Sequence, residues 1–168
     1  MSPVSRDEEL VGEPVPGRPD LLKISREPVP VVPDPRHSSR TKARKQALDI
    51  LFEAELRDRD LLVTLDEHIV VGNPAVREFA REIVRGIDEH MGEVDQRIAE
   101  ACSAEWTMER MPRVDRNLCR IAVWEIDHSE TADEAVIAEA VALATEFSTD
   151  DSASFVNGLL AQVVRTKH

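Results

Sequence analysis

Beyond residue 40 the apolar side chains recur at three- and four-residue steps, the spacing that gathers them on one face of an α-helix. Ala43, Ala47, Leu48, Ile50, Leu51 and Ala54, joined by Phe52, set a first helix over about 41–57. Leu61 to Val71 reads as a short second helix that Gly72-Asn73-Pro74 stops, with Asn73 as N-cap and Pro74 in the first turn of the next helix. The third helix carries the longest stripe: Val76, Phe79, Ala80, Ile83, Val84, Ile87, Met91, Val94 and Ile98. From Val114 to Ile126 the chain is apolar around most of its circumference, which marks a buried central helix. Thr131-Ala-Asp-Glu134 reads as a capping box that opens a helix running through Phe147. Ser148-Thr-Asp-Asp-Ser152 breaks that helix and caps a last one over about 154–165. The expectation is an all-α, compact bundle of six to seven helices with no convincing strand and no internal repeat.

Residues 1–36 are different in kind. They hold eight of the ten prolines and almost no apolar periodicity, so helices are excluded there and a disordered Pro-rich tail is expected, followed by one helical domain over 37–168. Composition agrees: 42% hydrophobic residues and only six glycines suit helices better than a sheet protein with its many turns. Cys102 and Cys119 lack the short paired spacing of a zinc site and read as reduced, buried and structural. With no membrane-length apolar run and no signal pattern, the sequence points to the cytoplasm.

Charge changes the picture most. The net −12 divides into −2 for residues 1–36, +4 for residues 37–47 and −14 for residues 48–168. Arg40, Lys42, Arg44 and Lys45 therefore stand alone on an anionic body. Such a cluster suits a phosphate backbone, because lysine and arginine supply most of the sequence-independent affinity of a nucleic-acid binder. The plain alternative is a solvated basic helix start. Cations near a helix N-terminus oppose its dipole by up to about 1 kcal/mol each, which weighs toward a kept function. Arg113, Arg116 and Arg120 form a second basic line, open to two readings: ion pairs with neighbouring acids, or a continuation of the track, with Arg120 its RNA-facing member.

Catalytic signals are missing: there is no glycine-rich phosphate loop, no nucleophile elbow and no i, i+4 histidine pair. No enzyme, cofactor or metal is expected. His90 reads as a surface residue, and Gly158, in mid-helix, suggests that another helix packs closely on its backbone.

Three stretches carry a family resemblance. ARKQALDILFEAEL, VDRNLCRIAVWEI and EAVALATEFSTDDSASFVNGLL make the chain from Arg40 onward resemble the NusB family of bacterial transcription antitermination factors. The resemblance implies two packed three-helix sub-bundles without catalytic activity. It also implies binding to the boxA element of ribosomal RNA leader transcripts together with NusE, a small-subunit ribosomal protein, within the transcription elongation complex. By position, the family's arginine-rich opening falls on Arg40, Lys42, Arg44 and Lys45, its acid near the RNA on Asp151, and the following aromatic on Phe155. Its partner-facing positions fall on Asp115, Arg116, Trp124 and Glu125, Trp124 being partly core. Ala132, Glu134, Ala138 and Thr145 depart from the family pattern and put local partner contacts in question. Other readings are a protein-binding scaffold, a homodimer among its forms, and a detached accessory of an RNA-modifying assembly.

Overall fold

The computed structural model describes residues 13–15, 18–23 and 35–167, with side chains from residue 39 to 167. The chain divides into two units, Met1–Asp34 and Pro35–His168. In the first, β1 (Glu13–Val15) pairs antiparallel with β2 (Arg18–Lys23), Glu13 opposite Lys23 and Pro14 opposite Leu22. The proline-rich composition gives no sign of this hairpin, and the rest of the expected tail lies outside the described residues.

The second unit holds six α-helices among its described residues. They are α1 (Pro35–Leu56), α2 (Leu61–Val71), α3 (Glu78–Ala101), α4 (Arg113–His128), α5 (Asp133–Phe147) and α6 (Ser152–Arg165), with a 3₁₀ turn at Met108–Arg110. The first three pack on one another, as do the last three. The helix α4 joins the two sets by also packing on α1 and α3. Its apolar circumference explains that position: Leu118, Cys119, Ile121, Ala122, Val123 and Ile126 are all buried. The stripe on α3 buries Ala80, Ile83, Val84, Ile87, Val94 and Ile98, each of its large aliphatic side chains contributing about 1.5–3 kcal/mol relative to exposure.

Local boundaries follow side chains that periodicity does not reveal. The helix α1 begins at Pro35 rather than near residue 41, so the basic cluster lies beyond the first turn and the dipole penalty expected there largely lapses. Pro74 does not open α3, which starts at Glu78 after the N-cap Arg77. The reason is Gln46, whose side chain donates to Ala75 O at 3.0 Å and accepts from Arg77 N–H at 2.9 Å, holding the segment outside the helix. Gly72 instead ends α2 in the left-handed region at φ 56°, its N–H donating to His68 O. The capping box at Thr131 is also absent: Ala132 is the N-cap, without a side-chain cap bond.

Candidate nucleic-acid interface

The basic start of α1 divides into one internal and three surface cations. Arg44, on the buried side of the helix, is 2% exposed. Its Nε and Nη2 donate to Glu125 Oε2 and Oε1 at 2.9 and 2.7 Å, and Nη1 lies 3.7 Å from Glu139 Oε1. Thr41 Oγ1 donates to the same Glu139 oxygen at 2.8 Å. A guanidinium so deeply enclosed cannot reach a phosphate, so the structure corrects the reading of Arg44 as an RNA contact. It locks α1 to α4 and α5 instead.

Arg40, one turn earlier, is exposed. Its guanidinium carbon stands 4.6 Å from the centre of the Phe79 ring and Nη1 donates to Thr131 Oγ1 at 2.9 Å. Arg44 lies against the same ring at 5.5 Å, so Phe79 props both arginines. Lys42 is exposed. Lys45 is half-exposed, 5.6 Å from the Phe147 ring centre and 3.1 Å from the exposed Glu146. An ion pair between two solvated chains is worth about 0–1 kcal/mol and gives way readily to a phosphate. Arg40, Lys42 and Lys45 are thus the cations of this segment left at the surface, Arg40 beside Thr131 ahead of α5 and Lys45 beside Glu146 near its end.

Two of the three arginines in the second basic line are held in ion pairs. Arg120 donates from Nε and Nη2 to Asp95 at 2.8 and 3.1 Å and from Nη1 to Asn117 Oδ1 at 3.1 Å, so its guanidinium is engaged within the domain. Arg116 pairs with Glu55 and donates from Nη1 to Met108 O and Met111 O at 2.9 and 3.2 Å, tying the 3₁₀ turn to α1. Arg113 is exposed.

The other partner-facing positions are also largely internal. Asp115, buried at the start of α4, accepts from Ser148 Oγ at 2.5 Å and Ser152 Oγ at 2.8 Å, so its role is to set the loop between α5 and α6. Glu125 is 1% exposed and belongs to Arg44. Trp124 is buried, and its indole lies where a Cβ on Gly86 would have to be, 2.1 Å from that position. Asp115, Trp124 and Glu125 are therefore held mainly by contacts inside the domain.

The loop that Asp115 sets presents Asp151, exposed, and starts α6. Asp151, Phe155 and Gly158 fall at four- and three-residue steps on one face. Nothing stands within 4 Å of a Cβ built on Gly158, so the expected helix packing there is not found. Phe155 is half-buried and meets Trp106, 58% exposed, with ring centres 6.4 Å apart. Sequence alone does not mark Phe79, Thr131 or Trp106 as site residues: Phe79 reads as one more stripe residue, Thr131 as a helix cap, and Trp106 carries no periodic signal. Cys119 is buried, and burial pushes its thiol well above the usual range; Cys102, half-buried rather than buried, is raised by the same cause and by the charge of Glu109. No described helix is long and apolar enough to cross a membrane.

A model of the NusB family matches residues 41–165. The chain is 50% identical over 127 residues to the transcription antitermination protein NusB of Cutibacterium acnes, covering 76% of this chain and 49% of that protein. It is 42% identical over 131 residues to the protein of the same name from Nocardioides sp., covering 77% and 96%. The chain thus spans about half the length of the first relative and nearly all of the second. Among solved structures, T. maritima NusB superposes with a TM-score of 0.69 at 30% identity, over 76% of this chain and 92% of that one. A chain of the complex of antitermination factors NusB and NusE with dsRNA gives 0.67 at 24% identity over 76% and 97%, a likeness of fold.

Proposed function

The chain belongs to the NusB family, and from that premise we propose that it is a transcription antitermination factor that holds RNA on the outer edge of α1. Its RNA is the boxA element of ribosomal RNA leader transcripts, bound together with NusE in the elongation complex so that rRNA genes are transcribed. The work is binding rather than catalysis. The observation that carries the reading is the surface position of Arg40, Lys42 and, in part, Lys45 on a domain whose residues 48–168 sum to −14.

That asymmetry limits where RNA settles. Three available cations neutralise about two or three phosphates, so RNA alone binds weakly and with a modest salt slope. The acidic faces repel RNA and attract a basic ribosomal protein. Base selection falls to the loop at Asp151 and the aromatic pair Phe155 and Trp106, since unpaired bases are read by stacking and edge contacts. Weak RNA affinity on each protein then becomes useful when the two form one continuous surface.

Titration of a boxA RNA with and without NusE, at two salt concentrations, tests the proposal. Cooperative tightening in the presence of NusE is expected. Binding of NusE with no RNA uptake at low salt would instead favour a protein-binding scaffold.

A further inference from the structure

Two histidines and a glutamate from two helices come together where α3 bends. At His90 the backbone leaves helical geometry, with φ −114° and ψ 20°. Its imidazole stacks on that of His128, the last residue of α4, with ring centres 4.1 Å apart and planes 20° from parallel. Glu93, just past the bend, reaches both: its Oε2 lies 3.2 Å from His90 Nδ1 and 3.8 Å from His128 Nε2. One ligand atom from each of the three lies within 4.8 Å of the others.

We propose that His90, Glu93 and His128 bind a transition-metal ion of the zinc class, clipping the bend of α3 to the end of α4. Two imidazole nitrogens and one carboxylate form the donor set of zinc sites that keep an open position, whereas calcium and magnesium call for oxygen ligands. Tetrahedral bonds of about 2.0–2.2 Å set ligand atoms about 3.4 Å apart, between the two separations to Glu93 found here. Both nitrogen lone pairs must aim at one point, so the stacked rings have to tilt out of parallel on binding. That movement meets little resistance, because the side chains of His90, Glu93 and His128 are 31%, 72% and 30% exposed. The negative charge of the domain favours the ion's approach. His128 also lines the recess that holds Arg40, Phe79 and Thr131, so a bound cation sits beside the basic edge of α1.

Calorimetric titration of the full chain with Zn²⁺ tests the site. One equivalent is expected to bind and to raise the melting temperature as zinc increases. His90→Ala and His128→Ala should each weaken that binding by more than the roughly 10–100-fold that follows loss of an outer-shell partner. Glu93→Gln, which keeps the size of the side chain, should weaken it too and covers the case of a histidine variant that fails to fold. With Co²⁺ as a probe, absorption should report nitrogen and oxygen ligands without thiolate, which separates this site from Cys102. Undiminished binding by Glu93→Gln and His128→Ala, a thiolate signature, or no uptake by the wild-type chain with zinc in large excess would overturn the proposal.

Discussion

Replacing Arg44 by alanine separates a structural arginine from an RNA contact. The substitution leaves Glu125, 1% exposed, without the two hydrogen bonds at 2.7 and 2.9 Å that satisfy its carboxylate. Removing one member of a buried pair costs about 3–5 kcal/mol, because the remaining charge is stranded in a poorly solvated place. At about 2–4 °C per kcal/mol for a domain near this size, the melting temperature should fall by about 6–20 °C. The loss is a large share of a total stability of about 5–15 kcal/mol. Thermal denaturation followed by circular dichroism measures it, with Arg40→Ala as the surface control, expected within about 0.5 kcal/mol of wild type. The double variant Arg44→Met with Glu125→Leu removes both charges and should recover most of the stability, since apolar replacement of a buried pair is often neutral or better. RNA affinity of that double variant should match wild type. An Arg44→Ala melting temperature within about 2 °C of wild type would refute the reasoning, as would loss of RNA binding by a stable double variant.

Three further outcomes rest on single residues. Gly86→Ala places a methyl group 2.1 Å from Trp124 Nε1; overpacking of this kind costs about 1–3 kcal/mol, and the shift of the indole should appear in the tryptophan emission alongside the lowered melting temperature. Gly158→Ala meets nothing within 4 Å and should stabilise by about 0.5–1 kcal/mol in a thermal melt; if a partner lies against that face, NusE or RNA titration should show weakened binding from the same variant. The hydrogen bond from His68 at 2.6 Å, helped by the charges of His68, Arg57 and Arg59, holds the Glu53 carboxyl below its ordinary 4.5. A depressed carboxylate contributes stability that is present above the unfolded value and lost as pH falls through the folded one. In His68→Ala the Glu53 titration seen by NMR should move back up, and the stability gap to wild type should narrow as pH drops through the carboxylate range.

The fold is legible in the sequence because its signal is repeated many times over. Eight stripe residues on α3 and the apolar girth of α4 all require the same packing, so no single misreading matters. Boundaries are less legible, since each depends on one side chain acting at a distance in sequence. Gln46 detains Ala75 and Arg77, and Thr131 is taken by Arg40 rather than by the helix it precedes. The candidate site divides for a similar reason. Residues 40, 42, 44 and 45 are equal in charge, but a helix turns 100° per residue, and only the position of Glu125 on α4 decides that Arg44 faces inward. Asp115 and Glu125 match partner-facing positions in sequence, yet the structure closes both with internal donors. The His90, Glu93 and His128 group spans two helices and depends on a bend that periodicity cannot show.

The salt dependence of boxA RNA binding, compared between wild type and an Arg40→Gln, Lys42→Gln, Lys45→Gln variant, tests the basic edge most directly. Removing each phosphate contact should flatten the slope of log K against log salt by about 0.7 for a single strand, so the variant should bind far more weakly with a slope near zero while melting at close to the wild-type temperature. A folded variant that binds the RNA with the wild-type affinity and the wild-type slope would place the RNA elsewhere on the protein and contradict the account.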